Sequence, residues 1–347
     1  MTKFAEIIGS KLIISDATLR DGSHPIRHTL TPNQVSEYCT QVDKSGVNWI
    51  EVGHGNGLGA SSFHIGKSTS ADFELLMAAR KSINNAKLSI HAMPGIATLR
   101  RDIIPAIEVG VDIFRFGSHC TEADTTARYI SEIASREKTA VGVLMMCHMS
   151  SASVLLEQAK IMENAGASAV MVMDSAGAME LEEVELKIRT LVEGLSIPVG
   201  IHAHNNLGLA VANSMVAVAA GAIIVDACAG GLGAGAGNAA IEILIPIFNR
   251  RGLCTVDEIT YFRAVEMALT SFMPNLQTTS PTSVATGMAG LFSGFLQPIL
   301  TASDANNVDK FKLIAELGKL TLVAGQEDVV IETALNLRNS TITSATI

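Results

Sequence analysis

The sequence predicts a (β/α)8, or TIM, barrel followed by a helical C-terminal domain. Three observations lead there. Apolar, β-branched runs alternate with helical stretches as far as residue 251. Glycines recur where a helix should hand over to the next strand. Polar residues gather after the strands, on one rim, whereas the opposite strand ends are bland. An open doubly wound sheet would also alternate, but its G-x-G-x-x-G sign is absent after the first strand.

Eight strands are expected, at Leu12–Leu19, Trp49–Gly53, Leu88–Met93, Ile113–Gly117, Ala140–Met146, Ala169–Met173, Val199–His204 and Ile223–Ala227. Each is a short apolar run bounded by turn formers. Helical patterns fill the gaps at Asn33–Lys44, Ala71–Ser82, Leu99–Val109, Ala123–Arg136, Val154–Ala165, Leu181–Val192 and Leu209–Ala220. Gly46, Gly110, Gly166, Gly194, Gly221 and Gly252 stand where a helix end favours a left-handed residue. The alternation stops there. The expected division is a catalytic barrel over 1–252 and a helical domain over 253–347, whose apolar segments 289–296 and 314–323 need a covering surface.

Composition narrows the function classes. Charged residues are 17% and hydrophobic ones 48% of the 347, so a large core is expected and disorder is not. A net charge of −9 disfavours nucleic acid and anionic membranes as partners. Five cysteines without a C-x-x-C pair argue against a disulfide framework and fit a reducing cytoplasm. The N-terminus lacks a signal-peptide pattern, and the longest apolar run, Met215 to Val225, is too short to span a bilayer.

The chemistry is concentrated at the strand ends. In the seventh strand residues two apart share a face, so His202 and His204 point one way and Val199, Ile201 and Ala203 the other. Two such imidazoles can share one ion, and Asp21, after the first strand, supplies a third ligand. Oxygen and nitrogen donors without thiolate suit Mn²⁺ or Mg²⁺, with Co²⁺ or Zn²⁺ as alternatives. Three ligands leave positions open for the carboxylate and keto oxygens of a 2-oxo acid, whose enolate the metal stabilises when a carbon–carbon bond breaks. Asn238, after the Gly-rich run 230–237, is either a further ligand or the closing residue of a turn. Arg20 is placed to stabilise an oxyanion, His24 to move a proton, and Ser175 to bind a substrate carboxylate. The expected strand interiors hold no Lys; Lys67 lies in a loop, and Lys11 and Lys87 at strand starts. Metal-enolate chemistry is therefore favoured over a Schiff base.

The stretches Thr18-Leu19-Arg20-Asp21-Gly22-Ser23-His24 and His202-Ala203-His204-Asn205 resemble the metal-dependent barrels that make or break carbon–carbon bonds. Within that superfamily the chain resembles most the 4-hydroxy-2-oxovalerate aldolases. The resemblance extends to Val52-Gly53-His54-Gly55-Asn56-Gly57-Leu58, His119-Cys120-Thr121-Glu122, Leu144-Met145-Met146-Cys147-His148, Asp174-Ser175-Ala176-Gly177 and Gly325-Gln326-Glu327-Asp328. Gly233-Ala234-Gly235-Ala236-Gly237-Asn238 carries neither the Cys of hydroxymethylglutaryl-CoA lyase nor the Glu-Arg of isopropylmalate synthases.

The resemblance implies Asp21, His202 and His204 as Mn²⁺ ligands, Arg20 as oxyanion stabiliser, His24 as base and Ser175 as a substrate contact. It implies cleavage of 4-hydroxy-2-oxovalerate to pyruvate and acetaldehyde, as in aromatic hydrocarbon catabolism. It also implies a C-terminal domain that docks an acylating aldehyde dehydrogenase, with a homodimer or heterotetramer as the assembly. Two residues depart from the family: Phe292 stands where a substrate-contacting Tyr is usual, and Asn205 where a third His is common. They imply that the aldehyde half of the substrate differs from acetaldehyde. Other readings of the same residues are an acyl-CoA/2-oxo acid condensing enzyme, a non-catalytic subunit that binds a dehydrogenase, and a 2-His-1-carboxylate iron oxygenase.

Overall fold

The computed structural model describes residues 12–63, 65–272 and 277–344, with side chains as far as 340. Lys11 lies outside the described residues. Eight parallel strands close into a barrel in sequence order. They are β1 (Ile13–Leu19), β2 (Trp49–Val52), β3 (Lys87–Ala92), β4 (Ile113–His119), β5 (Thr139–Met145), β6 (Ala169–Asp174), β7 (Val199–Ala203) and β8 (Ile224–Ala227). Ile13 pairs with Ile224, which closes the ring. Every expected strand is present, its ends shifted by no more than two residues.

The helices between them are α1 (Pro32–Asp43), α2 (Asp72–Ser82), α3 (Ile104–Val109), α4 (Asp124–Ser135), α5 (Ala152–Asn164), α6 (Leu181–Gly194), α7 (Ala210–Ala219) and α8 (Ile241–Arg250). Local chemistry sets their starts. Thr31 and Gln34 form a reciprocal capping box at α1, with Pro32 in the first turn. Ser151 caps α5. The expected helix over 99–109 opens with a π turn, Leu99–Ile103, before α3. Five of the six expected left-handed glycines have positive φ. Gly194 does not: it is the last residue of α6. A Cβ there would stand 2.5 Å from Leu156 Cδ1, so close packing of α6 on α5 calls for its glycine.

Strand parity divides the core. Inward residues such as Ile13, Trp49, Ile113, Val143, Met171 and Ile224 fill the barrel, and outward ones such as Ile50, Leu88, Phe114, Val170 and Ile201 pack beneath the helices. The inner cluster does not end at the rim. It continues through Met145 and Met173 into Leu291, Phe292, Phe295 and Ile299 of the C-terminal region. That region comprises α9 (Glu258–Ser271), α10 (Pro281–Met288), α11 (Leu296–Asn306), α12 (Lys310–Leu317) and α13 (Glu327–Ser344). Its apolar segments 289–296 and 314–323 are largely covered by this packing, with Leu291, Phe295, Ile314, Leu317 and Leu322 buried. The helix α9 is fastened to the barrel: Tyr38 and Tyr261 both donate to Asp16 Oδ2, at 2.8 and 2.9 Å. Among the described residues no helix is long and apolar enough to cross a membrane.

Gly200 is the second residue of β7, the strand that carries His202 and leads into His204. A Cβ on it would lie 2.8 Å from Ile224 Cβ and 2.9 Å from the Ile224 carbonyl oxygen. Backbone cannot yield as a side chain does. Gly200→Ala is therefore expected to destabilise the fold by about 1–3 kcal/mol. An unchanged denaturant midpoint would refute this.

Candidate active site and metal centre

Both histidines enter the barrel from the end of β7. His202 lies within the strand, and His204 forms a bridge with Asn238 just beyond it. Asp21 opens a short 3-10 turn directly after β1. One ligand atom from each of these three buried residues lies within 4.8 Å of the others. His202 Nε2 and His204 Nε2 approach the same carboxylate oxygen, Asp21 Oδ2, at 3.8 and 4.0 Å. His202 Nδ1 is committed to Asp226 at 2.9 Å, so its Nε2 stays buried with no partner. Outer-sphere carboxylates orient metal-binding imidazoles in this way.

Charge balance fits a cation. Asp21, Glu51 and Asp226 are buried together with Arg20 and Arg115, three carboxylates against two guanidiniums. Burial opposes the charge of Asp21, but Arg20, His204, His24 and His202 outweigh it and hold the carboxyl well below its usual range. Burial pushes His204 down to about 3, although Asp21 pulls it up. A neutral imidazole is the form that binds metal.

Arg20 donates from Nε to Glu51 at 2.7 Å and from Nη1 to Asp21 at 3.0 Å and Gly55 O at 3.2 Å. Its Nη2 is buried and unpaired. His24 Nε2 stands 3.6 Å from Asp21 Oδ1, and burial lowers its pKa. Ser175 is fully buried: its Oγ accepts from Met146 N at 2.9 Å, and its carbonyl from Ser293 N at 2.8 Å. The hydroxyl hydrogen is thus left for another acceptor. Phe292 and His24 line one cleft of about 700 Å³ between the rim and the C-terminal region, with His28, Lys67 and Gln277. Asn238 Nδ2 donates to Asp21 Oδ2, to Leu232 O at 2.9 Å and to Cys228 Sγ at 3.3 Å, leaving Oδ1 unpaired. Gly233 must be glycine here, because a Cβ would lie 2.8 Å from Asp21 Oδ2. Asn205 faces elsewhere: its Oδ1 accepts from Ala210 N at 3.2 Å, at the start of α7.

Comparisons with known proteins place the chain as a whole. Residues 11–269 match the HMGL-like family, and residues 277–339 match the DmpG-like communication domain. A 4-hydroxy-2-oxovalerate aldolase of Pectobacterium atrosepticum is 44% identical over 331 residues, covering 95% of this chain and 96% of that one. Another, from Burkholderia pseudomallei, is 47% identical over 330 residues, 94% of each chain. This chain belongs to the 4-hydroxy-2-oxovalerate aldolase family. It is an enzyme of the lyase class. A more distant likeness concerns the fold alone: the carboxyl transferase domain of Rhizobium etli pyruvate carboxylase with pyruvate has a TM-score of 0.78 at 17% identity, covering 97% of this chain and 62% of that one.

Several buried or rim residues have no role assigned to them from the sequence. Arg115 is fully buried inside the barrel, paired with Glu51 at 3.0 Å and held by both oxygens of Asp226. Its sequence signal is a lone Arg at an inward position between Phe114 and Phe116. Asn206 ties the β7 loop to the C-terminal region through Thr286 Oγ1 at 3.1 Å and Ser293 Oγ at 3.0 Å. Lys187 is a buried lysine, but it belongs to α6 and donates to Cys147 O at 2.7 Å, in the layer outside the barrel interior. His28 and His54 stack at 3.7 Å beside His24.

Removing Arg115 would strip Glu51 and Asp226 of a shared buried countercharge, leaving Glu51 to Arg20 and Asp226 to His202. Arg115→Met is expected to cost about 3–5 kcal/mol. A loss below 1 kcal/mol in denaturant melts would show that this network is dispensable.

Burial lowers His54 from 6.5 to about 4. The unfolded chain then takes up a proton that the folded one refuses. The stability held above pH 6.5 is lost as pH falls toward 4, by about 1–2 kcal/mol between pH 6.5 and 5. His54→Gln should remove that part of the pH slope, and equal slopes in both proteins would contradict it.

Proposed function

We propose that this aldolase is divalent-metal-dependent and cleaves 4-hydroxy-2-oxo acids, 4-hydroxy-2-oxovalerate or a homologue, to pyruvate and an aldehyde. The observation that carries the reading is the unpaired Nε2 of His202, aimed at Asp21 while its other nitrogen is tied to Asp226. Asp21, His202 and His204 would hold the ion, with Asn238 Oδ1 as a further donor. Mn²⁺ is the ion the family resemblance favours, with Mg²⁺ or Co²⁺ as alternatives. Bound there, it would act as a Lewis acid on the 2-oxo group.

The remaining steps belong to the chain. Arg20 Nη2 donates to the oxygen on which negative charge develops. His24, neutral because burial lowers its pKa, accepts the proton of the 4-hydroxyl. The bond between C3 and C4 then breaks. Its electron pair stays on the pyruvate half as the enolate, and C4 leaves as the aldehyde carbon. Return of a proton to C3 completes pyruvate. Ser175 donates its free hydroxyl hydrogen to the substrate carboxylate, and Phe292 packs against the aldehyde half.

The communication-domain match and the exposed Met288, Phe311, Leu320 and Ile331 support docking of an acylating aldehyde dehydrogenase on the C-terminal helices. We read 1–252 as the catalytic barrel and 253–347 as the interface domain, with α9 as the helix fastened between them. The free, buried cysteines fit work in the cytoplasm.

Chelation should abolish pyruvate release from 4-hydroxy-2-oxovalerate, and Mn²⁺ should restore it. His24→Ala should lower kcat by about 10²–10⁴. Pyruvate release that survives exhaustive chelation would sink the metal assignment. No pyruvate from this compound or its longer homologues would sink the aldolase reading.

A further inference from the structure

His91 is the feature that the mechanism leaves over. It faces the barrel interior from β3, in register with Arg115 on β4. It is 2% exposed, yet its Nδ1 has no hydrogen-bond partner. The ring occupies the space that Gly117 leaves: a Cβ at 117 would lie 2.7 Å from Cε1 and 2.9 Å from Nε2. Met145 Sδ flanks the same glycine at 3.0 Å. Burial, then Arg20, Arg115 and His202, keep the ring neutral against the pull of Asp21. A buried, neutral, unpaired imidazole is costly unless a ligand satisfies it.

Its place in the ring of strands says which part of a ligand. The candidate metal centre is on β1 and β7, and β3 lies across the mouth from β7. On the aldolase reading, the carboxylate, keto and 4-hydroxyl oxygens are already assigned to that centre, Arg20, Ser175 and His24. Any oxygen met by His91 is therefore a further one, on the carbon beyond C4. Nδ1 of a neutral imidazole donates or accepts according to the tautomer, and a hydroxyl group can answer either.

We propose that His91 is a specificity-determining residue that hydrogen-bonds a hydroxyl on the aldehyde half of the substrate, so that the enzyme favours 4-hydroxy-2-oxo acids that release a hydroxylated aldehyde. This rests on the aldolase reading above.

The test compares kcat/KM for 4-hydroxy-2-oxovalerate, which releases acetaldehyde, with 4,5-dihydroxy-2-oxovalerate, which releases hydroxyacetaldehyde. The wild-type enzyme should favour the dihydroxy compound by about tenfold or more. His91→Leu should cut that ratio by about tenfold, and His91→Asn, which keeps a donor and an acceptor, should retain part of it. Thermal melts and the ratio itself guard against a misfolded variant, since lost active protein lowers both rates alike. A wild-type preference for the acetaldehyde-releasing compound, or a ratio that neither substitution changes, overturns the assignment of His91 alone. Absence of pyruvate from both compounds overturns the aldolase reading and this inference with it.

Discussion

Arg115 holds the two halves of the candidate site together. Its guanidinium is wholly buried between Glu51 and Asp226. Glu51 fixes Arg20 through Nε, and Asp226 fixes His202 through Nδ1. Arg20 in turn reaches Asp21. The chain of contacts thus runs from a candidate ligand on β7, through β8, β4 and β2, back to a candidate ligand just past β1. Such a set of buried charges tolerates few arrangements, because each member would be costly alone. The fold pays for a single geometry at the rim with desolvation deep in the barrel.

The C-terminal region completes that rim. Gln277 donates to the carbonyls of Gly233 and Gly235 at 2.7 and 3.1 Å and accepts from Gly233 N at 2.8 Å. His148 donates to Gly290 O at 3.0 Å, and Asn206 joins Thr286 and Ser293. These bonds reach the glycine-rich run beside Asp21 and the loop after His204. A shift of α10 would therefore be felt within a few residues of the metal candidates. The continuous apolar cluster from Met173 to Phe295 makes the barrel interior and the C-terminal helices one packed body rather than two that touch.

Much of this was legible in the chain. Strand parity gives both histidines one direction, and the barrel brings Asp21 to them. What escaped has a physical reason. Arg115 and His91 sit within strands at inward positions, where a sequence reading expects apolar residues, and only register sets them side by side. Gly194 looked like a helix terminator but is small to let α6 meet α5. Asn206 lies beside a recognised motif, yet its partners are 77–87 residues away. Interactions of that span leave no local periodicity.

The interior is unequal in a way that bears on substrate. Toward β8, β1, β2 and β4 it holds charges; toward β5 and β6 it holds Val141, Val143, Met145, Met171 and Met173. Methionine packs irregular space without imposing one shape. A 2-oxo acid needs fixed charges at one end, and the leaving aldehyde needs room at the other. Phe292 extends the apolar side to the cleft without a hydroxyl of its own. With no phenol at that position, a polar group within the barrel gains weight in recognising the aldehyde half. His91 stands where the charged and methionine-lined sides meet, which makes it the residue through which such recognition can be built without adding a charge.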